Sequence, residues 1–185
     1  MKQQLVLTFL YLCLGQNIVA QDSAFRFKLI GATSGYGREV QMDEKYQPIF
    51  FAADLVWQMG RGGQNKFFAF YLEPQFNLVL TAKPVDFEVG SNIGLRYFQK
   101  LSASFYLYEM LGSGPHYMSA VIPKQASGFL FSDNLGIGFL KRFNEKKRLF
   151  LNFQLFVRHL SNANFRNPNG GINTLNIRVG LSKQK

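Results

Sequence analysis

The stretch FFAFYLEPQFNLVL at residues 67–80 is the most informative about architecture, because its side chains alternate in polarity with a period of two. One set of alternate positions is apolar and comprises Phe68, Phe70, Leu72, Phe76, Leu78 and Leu80. The opposite set, continued to residue 81, comprises Tyr71, Glu73, Gln75, Asn77 and Thr81. Successive side chains of a β-strand point to opposite faces, so the stretch is predicted to be a strand with one apolar and one polar face.

The same alternation recurs along most of the chain. Eight strands are predicted, at roughly 24–33, 49–60, 67–80, 87–98, 101–112, 128–143, 149–161 and 174–183. The chain has 185 residues, of which 47% are hydrophobic. It has no unbroken apolar run of about 18 residues, the length that a spanning helix needs. The sequence therefore predicts a single all-β domain.

Two eight-stranded architectures fit this pattern, and the placement of charge distinguishes them. A soluble lipocalin-like barrel encloses its apolar face around a ligand, whereas a membrane barrel turns that face to lipid and has a polar lumen. The polar faces carry charges of both signs: Arg26, Lys28, Asp54, Glu73, Glu88, Arg96, Arg158 and Arg178. In strands four and six these faces also carry Gly90, Gly94, Gly136 and Gly138. Opposite charges can pair in a narrow lumen that long aromatics would crowd, so we predict an eight-stranded antiparallel transmembrane β-barrel of outer-membrane type.

The lengths of the connections support this architecture. The links after strands two, four and six are short ("RGGQNK", "QK" and "NEKKR"), whereas those after strands one, five and seven are longer. Short turns on one side and long loops on the other are typical of outer-membrane barrels, with both termini on the periplasmic side. The second histidine, His116, falls in the long loop predicted after strand five.

The first twenty residues have the pattern of a secretory signal peptide. They combine one charge at Lys2, an apolar run from Leu5 to Leu14 and a small residue at Ala20. We therefore expect a signal peptide at 1–20 and the barrel domain at 21–185. The only cysteine, Cys13, lies within the apolar run, so the mature chain would contain none. Cysteine usage indicates no metal site, no redox site and no cofactor.

The formal net charge of +10 is interpreted as a membrane-facing fringe. Basic residues gather in the predicted short turns: Arg61, Lys66, Lys100, Arg148 and the pair at 146–147. There they would meet the lipid head groups of the inner leaflet. They form no single stripe with aromatic platforms, so nucleic-acid binding is not expected.

Strand seven runs directly into the polar stretch RHLSNANFRNPNGGIN at residues 158–173. Counting along the strand places His159 and Ser161 on the lipid-facing side, with Phe153 and Leu155. Histidine can act as general base for serine in acyl transfer, and such a pair at the outer rim would reach an ester in the outer leaflet. The alternative is that both residues are interfacial polar groups that close a strand, with "NPNGG" acting only as a turn.

This stretch resembles the signature of the lipid A 3-O-deacylase family, outer-membrane esterases that remove an ester-linked acyl chain from lipopolysaccharide. The resemblance is close over residues 158 to 172 and looser over the eight-strand layout. The family pattern is His-x-Ser-Asn-Ala, then Pro-Asn, then an acidic residue. The matching residues here are His159, Ser161, Asn162, Ala163, Pro168 and Asn169.

The resemblance implies a role for each residue of the site. Ser161 would be the nucleophile, His159 the base, and Asn162 a donor to the oxyanion. The glutamate of the family falls fourteen residues after the histidine, where this chain has Asn173. An asparagine oxygen can orient a histidine ring, although it cannot offset the imidazolium charge as a carboxylate does.

Two carboxylates on the lipid-facing parity could replace the missing acid: Asp133 on strand six and Glu109 on strand five. If the hairpin turns near "NEKKR", antiparallel pairing sets residue 159 opposite about 131 to 133. That register would bring Asp133 beside His159.

Two functions remain open on the sequence. The first is a serine esterase with lipid A of lipopolysaccharide as its substrate, located in the bacterial outer membrane with its site toward the outer leaflet. The second is a non-catalytic outer-membrane barrel, structural or binding, that has lost the acidic member of its triad. The sequence also leaves open whether two copies form a homodimer.

Overall fold

A computed structural model describes residues 27–41, 45–60, 65–81 and 85–185 of the chain. It contains eight strands: β1 (Lys28–Glu39), β2 (Gln47–Gln58), β3 (Lys66–Leu80), β4 (Asp86–Ser102), β5 (Phe105–Met118), β6 (Gly128–Asn144), β7 (Leu149–Ser161) and β8 (Ile172–Gln184). No helix among the described residues is both long enough and apolar enough to cross a bilayer. The predicted signal peptide and Arg26 lie outside these residues, as does Arg61.

The strands form one closed antiparallel barrel. Each strand pairs with the next along the chain, and β8 pairs with β1 to complete the ring. The predicted eight-stranded antiparallel architecture is therefore confirmed. Closure pairs the backbone N–H and C=O groups of every strand on both sides, which is the condition for a sheet to cross a bilayer.

The strand bounds differ from the sequence prediction chiefly in β1 and β5. β1 spans Lys28–Glu39, where 24–33 was expected, and β5 extends to Met118. Backbone pairing continues beyond the segments in which apolar residues alternate, so the outer loops are shorter than predicted. The link after β2 (59–65) is as long as the link after β1 (40–46).

The outer wall of the barrel is apolar, as predicted. The alternate residues Phe68, Phe70 and Phe76 of β3 are 53%, 38% and 45% exposed, while their neighbours Ala69 and Tyr71 are fully buried. A lipocalin-like barrel would enclose these phenylalanines. The sorting of side chains therefore excludes the soluble alternative and makes the outer wall a lipid-facing surface.

The middle of the interior is a layer of paired charges. Arg178 donates two hydrogen bonds of 2.8 Å to Glu73, one to each carboxylate oxygen. Arg96 donates to Asp54 at 2.9 Å. All four side chains are buried, so their charges are offset inside the barrel by each other.

On the side of this layer away from Phe27, the interior holds a second charge group centred on Glu88. The Glu88 carboxylate accepts hydrogen bonds from Arg158 at 2.8 Å and from Tyr46 at 2.6 Å. His116 Nδ1 also lies 2.7 Å from this carboxylate. The predicted loop position of His116 is therefore wrong: it lies within β5, is buried and points into the barrel.

Two buried apolar clusters lie in the interior together with the polar side chains of the predicted polar lumen, which include Asn92, Asn152 and Gln154. At the end of the barrel where β1 begins and β8 ends, Phe27 packs against Phe67, Phe98 and Tyr106, with ring centroids 5.0 to 5.7 Å apart. A second buried cluster lies at the opposite end and includes Leu160. Elsewhere in the barrel, inward glycines leave space for other rings: a Cβ at Gly138 would lie 2.4 Å from Tyr108 Cζ.

The predicted inward position of Lys28 is wrong. Lys28 is exposed on the outer wall, while its neighbours Phe27 and Leu29 point inward and are buried. The aromatic cluster at this end of the barrel stabilises Phe27 inside, and alternation then turns Lys28 outward. At the end of a strand a lysine side chain can extend to water, which makes this position tolerable.

We expect the Glu73→Gln substitution to destabilise the barrel. It removes the charge that offsets Arg178 and leaves a buried guanidinium without its carboxylate, a change that costs about 3 kcal/mol. Urea unfolding of the detergent-solubilised protein would measure the difference. Glu145→Gln, in the exposed turn 145–148, is the matched control and should leave the free energy of unfolding unchanged. Equal stability of the two variants would contradict the structural role of the charge layer.

Candidate active site

The candidate site lies on the outer wall, at the end of the barrel opposite to the start of β1 and the end of β8. β7 ends at Ser161, the link 162–171 follows, and β8 begins at Ile172. His159 pairs across the sheet with Asn173 of β8 on one side and with Asp133 of β6 on the other. The predicted register between β6 and β7 is therefore confirmed.

His159 is hydrogen-bonded to the residue in the position of the family's acid. Its Nδ1 lies 2.7 Å from Asn173 Oδ1. Because a carbonyl oxygen can only accept, this bond requires a proton on Nδ1, so that Nε2 is the acceptor whenever the ring is neutral. The Asn173 Nδ2 group donates in turn to Gln41 Oε1. The side chains of Gln41, Asn173 and His159 thus form a chain from the end of β1 to β7.

The two candidate carboxylates are placed differently. Asp133 is adjacent to His159 across the sheet, but its Oδ1 accepts a hydrogen bond of 2.6 Å from Ser113 of β5. Glu109 pairs with Ile137, which lies four residues along β6 from Asp133. Four residues of strand span about 13 Å, so Glu109 is too far to bond the imidazole. The structure brings together His159, Asn173 and Asp133, and it does not bring Glu109 to them.

Ser161 lies two residues beyond His159, on the same face of β7. Both side chains are half-buried. In the part of the chain that the structure describes, the Ser161 hydroxyl forms no hydrogen bond, so it is not held away from an incoming group. The bond between a nucleophile and its base is commonly loose in the absence of substrate.

Asn162 organises the turn that follows Ser161. Its backbone N–H donates to Asn169 Oδ1 at 2.9 Å, and its buried side chain donates to the Arg166 carbonyl at 2.6 Å. The backbone N–H of Asn162 and one hydrogen of its side-chain amide are therefore engaged within the link. Ala163 and Asn164 follow with left-handed φ angles of 50° and 64°. Among the described residues, nothing accepts a hydrogen bond from the backbone N–H of either.

His159, Asn173 and Asp133 form a polar row across three neighbouring strands, and an apolar groove runs beside it. It has a volume of about 370 Å³ and is lined by residues that include His159, Asn173 and Asp133. Its apolar wall consists of Leu111, Leu135 and Val157, which pair across β5, β6 and β7. These three side chains lie two residues below the polar row and are at least half exposed. The groove therefore joins polar reactive groups to a surface that fits hydrocarbon.

Gly171, the last residue of the link before β8, leaves space for the imidazole. It has a φ of +72°, and a Cβ at this position would lie 2.5 Å from His159 Cε1. A residue with a side chain would be strained by the backbone angle and would displace the ring. The sequence signature contained this glycine, but its composition indicated only a turn.

The barrel and its lipid-facing groove define the chain as a bacterial outer-membrane β-barrel protein. A model of the family "Lipid A 3-O-deacylase (PagL)" matches residues 44–182. The chain belongs to the lipid A 3-O-deacylase family. The resemblance seen in the signature of residues 158–173 is thereby confirmed.

Two solved structures are similar to the chain. The crystal structure of the outer membrane enzyme PagL has 16% sequence identity and a TM-score of 0.60, and the similarity covers 82% of this chain and 97% of that chain. At this identity the likeness shows the shared fold. The outer membrane protein Ail of Yersinia pestis has 12% identity and a TM-score of 0.42, covering 86% of this chain and 99% of that one. No curated protein matches the chain in sequence.

The described residues contain no cluster of histidine, cysteine, aspartate and glutamate that could hold a metal ion. Sequence reasoning identified His159, Asn173 and Asp133, which the fold brings together as cross-strand neighbours. It also identified Ser161, which lies two residues further along β7. It missed Gln41, because nothing in the loop after strand one indicated a contact with strand eight.

We expect Gly171→Ala to lower lipid A deacylation by about a hundredfold if His159 is the predicted base, because a displacement of the imidazole by about 1 Å would misalign it. Gly60→Ala is the matched control: its φ of +63° imposes similar backbone strain, but a Cβ there would meet nothing within 4 Å. Mass spectrometry of lipid A from cells that express each variant would measure the activity. Equal activities would show that Gly171 does not position His159.

Proposed function

We propose that this chain is a serine esterase that removes an ester-linked acyl chain from lipid A in the outer leaflet of the bacterial outer membrane. The observation that carries the proposal is the hydrogen bond between His159 Nδ1 and Asn173 Oδ1 on the lipid-facing wall. It leaves Nε2 unprotonated on the residue that shares a face with Ser161. Membership of the deacylase family supports the same chemistry.

The first half of the reaction forms an acyl-enzyme. Ser161 Oγ attacks the ester carbonyl carbon, while His159 Nε2 takes the hydroxyl proton. When the tetrahedral intermediate collapses, the bond between the acyl carbon and the sugar oxygen breaks, and the imidazolium returns its proton to that oxygen. The acyl chain is then esterified to Ser161, and the sugar leaves with a free hydroxyl.

The second half of the reaction releases the fatty acid. His159 Nε2 removes a proton from water, which attacks the acyl-enzyme carbonyl. Collapse restores the Ser161 hydroxyl with the proton from the imidazolium and frees the acyl chain as a carboxylic acid. The site lies at the barrel rim, where water from outside the cell can reach it.

The oxyanion would be stabilised by backbone N–H groups of the turn after Ser161. Asn162 was the first candidate from the sequence, but its own donors bond Asn169 and Arg166. The unengaged N–H groups of Ala163 and Asn164 are better placed to serve, since preorganised donors act without rearrangement. In this proposal Asn162 contributes by holding the turn in shape.

The apolar groove would receive the acyl chain that is cleaved. Leu111, Leu135 and Val157 form a hydrocarbon surface directly below the polar row. An acyl chain lying there would bring its ester to the level of His159 and Ser161. This arrangement orients the ester against the nucleophile, which is a main source of rate acceleration in enzymes.

A predicted signal peptide at 1–20 and export to the outer membrane are part of the same proposal.

The second candidate function is a non-catalytic barrel that binds lipopolysaccharide or has only a structural role. The observation in its favour is Asn173, since an amide cannot offset the charge of an imidazolium. The two functions differ in their effect on lipid A. The enzyme removes one acyl chain, whereas the binding protein leaves the lipid A mass profile unchanged.

We expect Ser161→Ala and His159→Ala each to abolish deacylation while the barrel still folds and inserts. The alanine variants lack the nucleophile or its base, and both side chains lie outside the buried core. Mass spectrometry of lipid A and the heat-dependent mobility of the barrel on gels would report activity and folding. Ser34→Ala, on the outer wall of β1, is the matched control for loss of a hydroxyl. Full activity of the Ser161→Ala variant would refute the esterase mechanism.

The residue that orients His159 can be identified by substitutions at two positions. We expect Asn173→Ala to lower the rate and Asn173→Glu to raise it, because a carboxylate also stabilises the imidazolium formed during attack. Asp133→Asn should change the rate little, since Asp133 is bonded to Ser113. Initial rates on purified lipopolysaccharide would measure these effects. Loss of activity in Asp133→Asn with no change in Asn173→Ala would assign the acid to β6.

A further inference from the structure

The side-chain amide of Asn173 has an oxygen that accepts hydrogen bonds and an NH2 group that donates them. Only the oxygen, when it faces the ring, leaves His159 able to act as a base toward Ser161. When the oxygen faces the ring, it accepts the Nδ1 proton and leaves Nε2 free to take a proton from Ser161. Rotation of the amide by half a turn would place Nδ2 against the ring. His159 would then carry its proton on Nε2 and could not act as a base toward Ser161.

A carboxylate at this position would not create the same ambiguity, because both of its oxygens accept hydrogen bonds. Asn173 therefore introduces a requirement that a carboxylate at this position would not have. Something must keep the oxygen, and not the nitrogen, turned toward His159.

Gln41 contacts the far end of this amide. Asn173 Nδ2 donates a hydrogen bond to Gln41 Oε1, while Asn173 Oδ1 lies 2.7 Å from His159 Nδ1. Each end of the amide is thus matched to a partner of the opposite kind. Asp133, on the other side of His159, is bonded to Ser113 and makes no contact with the Asn173 amide.

The backbone places Gln41 at this position. Val40 N–H donates to the Asn173 carbonyl at 3.0 Å, which extends the pairing of β1 and β8 past the end of β1. The Gln41 N–H donates to Glu39 Oε1 at 2.5 Å. The segment is therefore held at two points, and the Gln41 side chain lies along the wall of the groove.

We propose that Gln41 is a positioning residue that orients the Asn173 amide and thereby sets the tautomer of His159 required for deacylation. The inference rests on the proposed function of His159 and Ser161. Gln41 touches neither the nucleophile nor the imidazole, and it acts through Asn173. It offers an explanation of how a family member with an amide in the acid position keeps a competent base.

A series of substitutions at position 41 separates hydrogen-bond polarity from packing. Gln41→Glu can only accept, so it should retain or increase activity. Gln41→Leu has a similar volume but no acceptor, and it should lower the rate by about tenfold. Gln41→Lys can only donate and would bond Asn173 Oδ1, which should reverse the amide and lower the rate by about a hundredfold or more.

The same series in an Asn173→Glu background tests whether the effect passes through the amide. A glutamate at position 173 needs no orientation, so Gln41→Leu and Gln41→Lys should then have little effect on the rate. A general effect of charge at position 41 on the imidazolium would persist in both backgrounds. Persistence of the Gln41→Lys defect beside a glutamate would therefore overturn the proposal.

The tautomer can also be measured without activity. ¹⁵N NMR of the histidine-labelled full-length protein, at a pH where the imidazole is neutral, distinguishes a proton on Nδ1 from one on Nε2, and His159→Ala assigns the signal against His116. We expect Nδ1–H in the unsubstituted protein and in Gln41→Glu, and Nε2–H in Gln41→Lys. An unchanged tautomer in Gln41→Lys would overturn the proposal even if the chain deacylates lipid A. Conversely, the expected tautomers in a chain that leaves lipid A intact would refute only the proposed esterase.

Discussion

The structure depends on the requirement that every backbone N–H and C=O group in a bilayer has a partner within the protein. Pairing of β8 with β1 meets that requirement by closing the sheet. Closure with eight strands makes the interior narrow, so that alternate side chains either fill it or face lipid. The paired charges of Glu73 and Arg178, and the outward phenylalanines of β3, both follow from this division.

The candidate site differs from the rest of the outer wall because it is polar. His159, Asn173 and Asp133 form a polar row across three neighbouring strands, beside a groove of leucine and valine side chains. Polar groups are costly on a lipid-facing surface and are retained there for a function or for the interface. A substrate that combines hydrocarbon chains with esters and sugar hydroxyls matches both parts of this surface.

With asparagine in place of the acid, residue 173 can orient the imidazole but cannot offset its positive charge. A carboxylate would orient the imidazole and also stabilise its positive form, whereas the Asn173 oxygen can only orient it. Orientation by an amide depends in turn on what bonds its other end, here the side-chain oxygen Oε1 of Gln41. Gly171 adds a steric limit, since its missing Cβ leaves the space that the ring occupies. The contacts of Asn173 with Gln41, and the space left by Gly171, thus determine how the imidazole of His159 is oriented.

Period-two alternation was sufficient to predict the eight strands, the outward face of Phe68 and the shared face of His159 and Ser161, because parity along a strand is a local property. It failed at Lys28, whose orientation depends on which neighbours fill the barrel, and at His116, because backbone pairing extends β5 beyond the segment in which apolar residues alternate. The register that joins Asp133 to His159 was predicted from one tight turn. The contact of Gln41 with Asn173 came only from the tertiary structure, because closure brings together residues 132 positions apart, and no local pattern encodes that distance.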